Sequence, residues 1–298
     1  MAVDGTGRPG TPIQGQARPD PATTRENNRY AEENRERAAL TAAAGPVNVD
    51  RVPWSVLGPD FIRAWGYPRG KRQPEHLEIL GQTGSGKSFF EKTVLQQRVA
   101  ARGSHVVVIA TKPADATLTS MGWPVITRWP PDYGKNQVIF WAKGGLSKDS
   151  QEKQREAILD VLGRLWQPDS NRIVVFDEIS YLAVDLGLKT ELTTYFREAR
   201  ALGITIVSST QRPQGVPRWM HSEASWTVCF APKDEEDAER MAQVLGGKKT
   251  YMPILQTLNR ARYEFLIVHG LTGEFVISWI DRTRPVKASR EDARKRTG

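Results

Sequence analysis

Short apolar runs alternate with amphipathic segments through most of the chain. Runs such as VVVIA at 106–110 and IVVF at 173–176 are rich in Val and Ile, which is typical of buried strands. Between them, residues 151–166 carry apolar side chains at helical spacing. Strands that alternate with helices in this way predict an α/β fold, in which helices cover both faces of a mostly parallel sheet.

The same pattern gives the order of the elements. Strands are predicted at 76–81, 105–110, 137–142, 172–177, 203–209 and 225–231, and helices at about 87–101, 151–166, 189–201 and 234–247. Asp234 is expected to cap the last of these helices and Gly246 to end it. The segment YEFLIVHG–LTGEFVISWI then predicts a C-terminal β-hairpin.

Composition divides the chain into four parts. Residues 1–45 are expected to form a disordered or helical N-terminal arm, because they offer little to bury. Residues 46–75 mix aromatic side chains with Pro and Gly, which predicts an irregular lead-in packed on the core. The core domain is expected at 76–281, and residues 282–298 form a basic tail that is either solvated or in contact with phosphate.

Charge and cysteine content limit the class of protein. The formal net charge of +8 favours a polyanionic partner. The single cysteine, Cys229, excludes an internal disulfide framework and a four-cysteine zinc site, which fits a cytoplasmic location. The four histidines lack the spacing of metal ligands, and no apolar run approaches the ~18 residues of a membrane span.

The segment GQTGSGKS at 81–88 matches the P-loop pattern between a predicted strand and a predicted helix. Gly84 and Gly86 allow backbone amides to turn toward phosphate oxygens. Lys87 can reach the β- and γ-phosphates of ATP, and the Ser88 hydroxyl can bind Mg²⁺. The predicted nucleotide contacts are Gly81, Gln82, Thr83, Gly84, Ser85, Gly86, Lys87, Ser88 and Phe89.

Two later strands end in residues suited to hydrolysis. RIVVFDE at 172–178 is expected to bring Asp177 beside the P-loop, where it would hold Mg²⁺ through water, and Glu178 would act as the general base. Gln211 follows the next strand and is the candidate sensor of the γ-phosphate, because its amide both donates and accepts hydrogen bonds. The competing interpretations are a strand that happens to end in two acids and an ordinary polar strand exit.

A P-loop, a strand ending in DE, ARALGI at 199–204 and STQRP at 209–213, in this order, resemble the FtsK/HerA superfamily of DNA-pumping ATPases. The resemblance covers roughly residues 76–280. It implies a RecA-like P-loop NTPase core, a hexameric ring with ATP sites between subunits, and double-stranded DNA in the central channel. It also implies that Arg200 inserts into the neighbouring subunit's site to neutralise charge, with Arg197 as the competitor; a helix-surface role is the alternative for both.

These features together predict an ATP-driven motor that translocates double-stranded DNA as a ring oligomer. The compact size and the expected lack of a membrane anchor resemble viral genome-packaging or mobile-element motors, with a portal-like or mobile-element partner protein. The alternatives are a protein-translocating or assembly ATPase of the same superfamily and a nucleotide-gated interaction protein. The sequence does not indicate which DNA is moved, its direction, or the ring size.

Several weaker candidates remain open at this stage. Lys112 and Lys143 lie in predicted turns and either face phosphate or are solvated. The loop at 212–221 mixes Arg and Trp, which suits a DNA-channel loop as well as an ordinary surface loop. Trp54 and Trp65 either stack on adenine or pack the lead-in on the core.

Overall fold

The computed structural model describes residues 49–66, 74–112, 115–131, 134, 136–211, 213 and 216–281. The predicted arm at 1–45 and the predicted basic tail at 282–298 lie outside these residues. The same holds for part of the lead-in and of the 212–221 loop.

Ten strands of the described part form one sheet, in the order β1-β10-β9-β8-β2-β7-β6-β3-β5-β4. They are β1 Arg51–Pro53, β2 His76–Leu80, β3 His105–Ala110, β4 Val125–Ile126, β5 Gln137–Trp141, β6 Arg172–Phe176, β7 Thr205–Thr210, β8 Ala224–Phe230, β9 Phe265–His269 and β10 Phe275–Trp279. Neighbouring strands are parallel except for β8–β9 and β9–β10, which are antiparallel. The predicted α/β class and the C-terminal hairpin are therefore confirmed.

The helices connect these strands. They are α1 Trp54–Gly66, α2 Lys87–Arg102, α3 Ala116–Thr119, α4 Lys148–Leu165, α5 Lys189–Glu198, α6 Arg218–Glu223, α7 Glu235–Val244 and α8 Lys248–Gln256. A π-helical turn at Tyr181–Asp185 and 3₁₀ turns at Ala199–Leu202 and Arg260–Arg262 complete the described elements. Asp234 caps α7 as predicted, because its carboxylate accepts a hydrogen bond from the Asp237 amide at 2.9 Å.

Apolar side chains fill both faces of the sheet. On one face, α1, α2 and α3 cover residues such as Leu77 and Ile79 of β2. On the other face, α4 and α5 cover Val174 and Phe176 of β6, and α7 and α8 cover Leu80 at the end of β2. Because successive residues of a strand point to opposite faces, both layers are built from the same Val- and Ile-rich strands.

The lead-in is more regular than its sequence indicates. Residues 54–66 form helix α1, although Gly58 and Pro59 disfavour helix by propensity. Three aromatic side chains of this helix, Trp54, Phe61 and Trp65, are buried in the core beside α2. Their burial outweighs the unfavourable propensity, so residues 54–66 form a helix packed on the core where an irregular segment was predicted.

Trp54 is the anchor of α1. Its ring lies 5.1 Å from that of Phe90 and 5.9 Å from that of Phe265, and its indole nitrogen donates to the Gln97 side chain at 3.0 Å. The side chain is only 2% exposed. It therefore connects the lead-in to both the P-loop helix and the C-terminal hairpin.

We expect Trp54→Ala to lower the free energy of unfolding by about 3–5 kcal/mol, because it leaves a cavity and a Gln97 side-chain oxygen without its donor. Urea denaturation measures this change. Val56→Ala is the matched control, since Val56 lies on the same helix and is 63% exposed; its effect should stay within about 0.5 kcal/mol. Equal effects of the two substitutions would contradict this account of α1.

Candidate active site

The strand order brings the ends of β2, β6 and β7 together at one edge of the sheet. Strand β2 leads into the P-loop, β6 into Asp177 and Glu178, and β7 into Gln211. Strand β7 lies between the other two, so Asp177 is one strand further from the P-loop than the sequence indicated. The Gly81 amide donates to the Thr210 carbonyl at 3.2 Å, which joins the start of the P-loop to the end of β7.

The P-loop has the backbone conformation that its glycines predict. Gly84 has φ 80° and Gly86 has φ 108°, values that residues with a Cβ atom rarely adopt. Helix α2 begins at Lys87, whose side chain is buried at the start of the helix. A helix N-terminus with this lysine and turned glycine amides forms a cradle for an anion.

Glu178 is held in one position by three donors. Its Oε1 atom accepts hydrogen bonds from Ser180 Oγ at 2.6 Å, Thr210 Oγ1 at 2.8 Å and the Gln211 amide at 3.3 Å. Two of these donors belong to the end of β7. The position of the Glu178 carboxylate is therefore determined by the strand that also carries Gln211.

Two side-chain contacts connect the P-loop to its surroundings. Gln211 Oε1 accepts a hydrogen bond from Thr83 Oγ1 at 2.7 Å. Gln82 donates from its side-chain amide to the carboxylate of Asp237 at the start of α7. Burial and the neighbouring Asp234 raise the pKa of Asp237. Two adjacent residues at the start of the P-loop are thus hydrogen-bonded to elements that follow it in the sequence.

Burial shapes the electrostatics of this edge. It lowers the pKa of Lys87, although Glu178, Glu91 and Asp177 each favour the charged ammonium. Burial also raises the pKa of Asp177, and Asp115 raises it further, while Lys112 acts in the opposite direction. A divalent cation bound at Asp177 would oppose this effect of burial and favour the charged carboxylate.

Glu91 is a buried acid that the motifs did not indicate. It lies one helical turn after Lys87, is 1% exposed, and its pKa is raised to about 8 by burial and then by Asp177. Ser209 forms a side-chain hydrogen bond with Glu91 and donates from its hydroxyl to the Asp177 carbonyl at 2.7 Å. The spacing of four residues from Lys87 is the signal that could have identified it, because residues i and i+4 share a helix face.

The two candidate arginines lie at the opposite edge of the sheet, near the start of β7. Arg200 is partly buried and donates from its guanidinium to the Glu223 carbonyl of α6. Arg197 is exposed on the last turn of α5. Strand β7 spans about 20 Å, so neither side chain can reach the P-loop of its own subunit.

The remaining candidates divide into buried and exposed residues. Trp54 and Trp65 are packing residues, since both are nearly fully buried, and Cys229 is a buried core residue. Lys112 is exposed but close enough to Asp177 and Lys87 to affect their pKa values. Lys143 is exposed.

Among the described residues, no group of three or more His, Cys, Asp or Glu side chains is arranged to hold a metal ion. No helix in the described part of the chain is both long and apolar enough to cross a membrane.

The sheet order and the P-loop at its centre define a P-loop NTPase fold, and solved structures share this fold. The genome-packaging NTPase B204 of Sulfolobus turreted icosahedral virus 2, solved with AMPPCP, is 15% identical, with a TM-score of 0.50 over 68% of this chain and 96% of its own. VirB4 of Thermoanaerobacter pseudethanolicus is 12% identical, with a TM-score of 0.56 over 72% of this chain and 92% of its own. Both have the FtsK/HerA type of P-loop ATPase fold, which confirms the predicted resemblance at the level of the fold.

The chain matches no protein-family model, and no characterised protein matches it in sequence. The roles of individual residues therefore depend on the geometry described above.

We expect Glu91→Gln to become more stable relative to the original protein as pH rises from about 5 to 8. A carboxyl whose pKa is raised in the folded state, here from 4.5 to about 8, favours unfolding once pH exceeds its unfolded value. The neutral side chain of glutamine removes this decrease in the free energy of unfolding, which is on the order of a few kcal/mol. Urea denaturation at pH 5, 6.5 and 8 measures it.

The opposite trend would contradict a neutral Glu91. If Glu91 were ionised and paired with Lys87, the glutamine variant would be less stable than the original protein at pH 8. Glu152, an exposed acid on α4, provides the control for the same change of side chain. Glu152→Gln should show little change in stability across the same pH range, because an exposed carboxylate is well solvated.

Proposed function

We propose that this chain hydrolyses ATP at the edge formed by β2, β6 and β7. The observation that carries the proposal is the fixed position of Glu178, whose Oε1 accepts three hydrogen bonds beside the cradle of Lys87. A carboxylate held there is suited to polarise a water molecule for attack on the γ-phosphate. Lys87 would neutralise phosphate charge, and the buried setting strengthens that interaction.

Mg²⁺ fits the residues of this site. The Ser88 hydroxyl and the Asp177 carboxylate are hard oxygen ligands of the kind that this ion prefers. Burial, and then the neighbouring Asp115, raise the pKa of Asp177, and a bound cation would favour its charged form. When bound with ATP, the ion would neutralise charge on the phosphates. Thr111 Oγ1 lies 3.4 Å from Asp177 Oδ2 and helps to orient that carboxylate.

Gln211 is suited to report the state of the phosphates. Its side-chain oxygen is engaged by Thr83 of the P-loop and its backbone amide by Glu178, so it contacts both the phosphate cradle and the base. A ligand in the cradle would compete for these hydrogen bonds. Gln211 would thereby couple nucleotide binding to the loop that follows β7.

Arg197 and Arg200 can complete the site only from a neighbouring subunit, because both lie at the far edge of the sheet. This supports a ring oligomer, with a hexamer as the expected form. Arg200, the residue that the family resemblance favours, is engaged within its own subunit by Glu223. Arg197 is the more accessible of the two.

The substrate that the ATPase would move is double-stranded DNA. The net charge of +8 supports a polyanionic partner. The likeness in fold to a genome-packaging NTPase supports DNA as that partner. A portal-like or mobile-element protein is the expected partner, and the cytoplasm the expected location.

We expect ATP turnover to rise when long linear duplex DNA is added at low salt, and this stimulation to fade as salt increases, because phosphate contacts release counterions. Steady-state phosphate release measures both effects. Lys87→Ala should lower turnover by about 100-fold or more, and Glu178→Gln by about 10²–10⁴-fold while ATP still binds.

The outcomes separate the alternatives. Turnover that is indifferent to DNA would keep the ATPase and favour a protein-translocating or assembly motor. Unchanged turnover in Glu178→Gln would show that Glu178 is not the base. Lys153→Ala, which removes an exposed lysine on α4, serves as the charge-matched control for Lys87→Ala.

The two arginines should respond differently to substitution. We expect Arg197→Ala to lower kcat by roughly three orders of magnitude with an unchanged melting temperature, as removal of a trans arginine would. Arg200→Ala should lower the free energy of unfolding by about 1.5–3 kcal/mol, because it leaves the Glu223 carbonyl without its charged donor. A large loss of kcat in Arg200→Ala without loss of stability would instead identify Arg200 as the trans residue.

A further inference from the structure

A polar residue occupies the core-facing stripe of helix α4. The buried residues of this helix are Gln154, Ile158, Val161, Leu162 and Leu165, which recur at helical spacing. Gln154 is only 2% exposed, although an amide side chain in a core needs partners for its polar atoms. An apolar residue could fill this position without that requirement, so the partners of Gln154 indicate what it does there.

Gln154 joins two segments that leave the sheet at the same edge. Its side-chain oxygen accepts a hydrogen bond from the Tyr181 hydroxyl at 2.8 Å, and its side-chain nitrogen donates to the Ala142 carbonyl at 3.2 Å. Ala142 follows β5, and Tyr181 lies shortly after β6. Because β5 and β6 are both parallel to β3, both segments emerge at the edge of the sheet that carries Glu178.

The approach of the loop after β5 to Gln154 requires a glycine. A Cβ atom on Gly144 would lie 2.7 Å from the side-chain oxygen of Gln154, which is closer than such atoms pack. Gln154 cannot readily yield, because it is buried and both ends of its amide are hydrogen-bonded. A Cβ atom on the adjacent Gly145 would instead lie 2.6 Å from the Ser150 hydroxyl oxygen. The two glycines therefore make different contacts of the same loop.

Tyr181 begins the π-helical turn that follows the acidic pair. The Leu182 amide donates to the Glu178 carbonyl at 3.4 Å and the Leu186 amide to the Tyr181 carbonyl at 3.0 Å, so the turn is continuous with Glu178. Ser180 precedes Tyr181, and its hydroxyl donates to the Glu178 carboxylate at 2.6 Å. π-Helical turns are rare and lie frequently at functional sites. The Tyr181 hydroxyl connects this turn to α4.

We propose that Gln154 is a positioning residue for ATP hydrolysis, which acts through Tyr181 and Ser180 on Glu178. The proposal rests on the proposed function, because it takes Glu178 as the residue that polarises water. The Glu178 carboxylate receives hydrogen bonds from two sources, the end of β7 and its own turn. Gln154 holds the second source in place, so a change at α4 or in the loop after β5 reaches the base without touching the phosphate cradle.

The first test removes one hydroxyl from the full chain. We expect Tyr181→Phe to lower kcat about 5- to 100-fold, because a displaced base is poorly aligned with the attacking water. The Kd for the non-hydrolysable analogue AMPPCP should be unchanged. Tyr195→Phe is the matched control, since Tyr195 packs in the same core and its buried hydroxyl has no hydrogen-bond partner among the described residues; its kcat should equal that of the original protein. Steady-state phosphate release and calorimetry measure the two quantities.

The second test acts from the loop. Gly144→Ala places a Cβ atom against Gln154 and should lower kcat in the same way, although Gly144 lies outside the predicted ATP site. Gly145→Ala contacts Ser150 instead and should leave kcat unchanged. Melting temperatures are measured for all variants, and kcat is compared well below the lowest of them. A purely structural role of Gln154 would lower the melting temperature and leave the kcat of the folded protein intact.

A double-mutant cycle shows whether the effect passes through Glu178. Residues that act as a unit have non-additive effects. Tyr181→Phe should therefore change the residual turnover of Glu178→Gln by less than about twofold, since that variant has no base left to align. Single-turnover hydrolysis of radiolabelled ATP measures this residual rate.

Other results would overturn the inference. Unchanged kcat in both Tyr181→Phe and Gly144→Ala would exclude Gln154 as a positioning residue and leave the ATPase proposal standing. An equal loss of kcat with and without Glu178→Gln would mean that the turn acts on another part of the site. A raised Kd for AMPPCP in Tyr181→Phe would indicate damage to the phosphate cradle instead. Undiminished turnover in Glu178→Gln would refute the proposed role of Glu178 itself, and this inference with it.

Discussion

The pairing of β7 between β2 and β6 is the constraint on which the site depends. The P-loop and the acidic pair belong to strands that do not touch, and β7 sets the distance between them. Its last residues supply the bonds that cross this gap: Thr210 contacts both Gly81 and Glu178, and Gln211 contacts Thr83. A parallel ladder has evenly spaced hydrogen bonds, so its register fixes these contacts together.

Burial gives these contacts their electrostatic strength. Lys87 and Glu91 occupy one face of α2 within the core, where solvent screens charges weakly. A second ionised carboxylate beside Asp177 would be costly there, and the raised pKa of Glu91 keeps that group neutral near pH 7. A neutral Glu91 therefore spares Asp177 the repulsion of one further buried charge.

The sequence predicted the α/β class, the central strands and the P-loop, because apolar periodicity and the glycine spacing are local signals. It did not predict helix α1, because Gly58 and Pro59 disfavour a helix by propensity. The helix is stabilised by the burial of its aromatic side chains in the core. It could not place β7 between β2 and β6, since periodicity carries no information on strand order. The sequence also did not predict that Tyr263 lies near the P-loop, because that position depends on the antiparallel pairing of β8 with β9.

Helix α6 contacts the strand that leads into the P-loop. His221 of α6 pairs with the Glu78 carboxylate in the middle of β2, with both side chains buried. Burial alone lowers the pKa of His221, but the adjacent Glu78 outweighs it and the pKa is raised. A buried ion pair gives little net stability, yet breaking it leaves an uncompensated charge. The pair therefore joins α6 to the middle of the strand that leads into the P-loop.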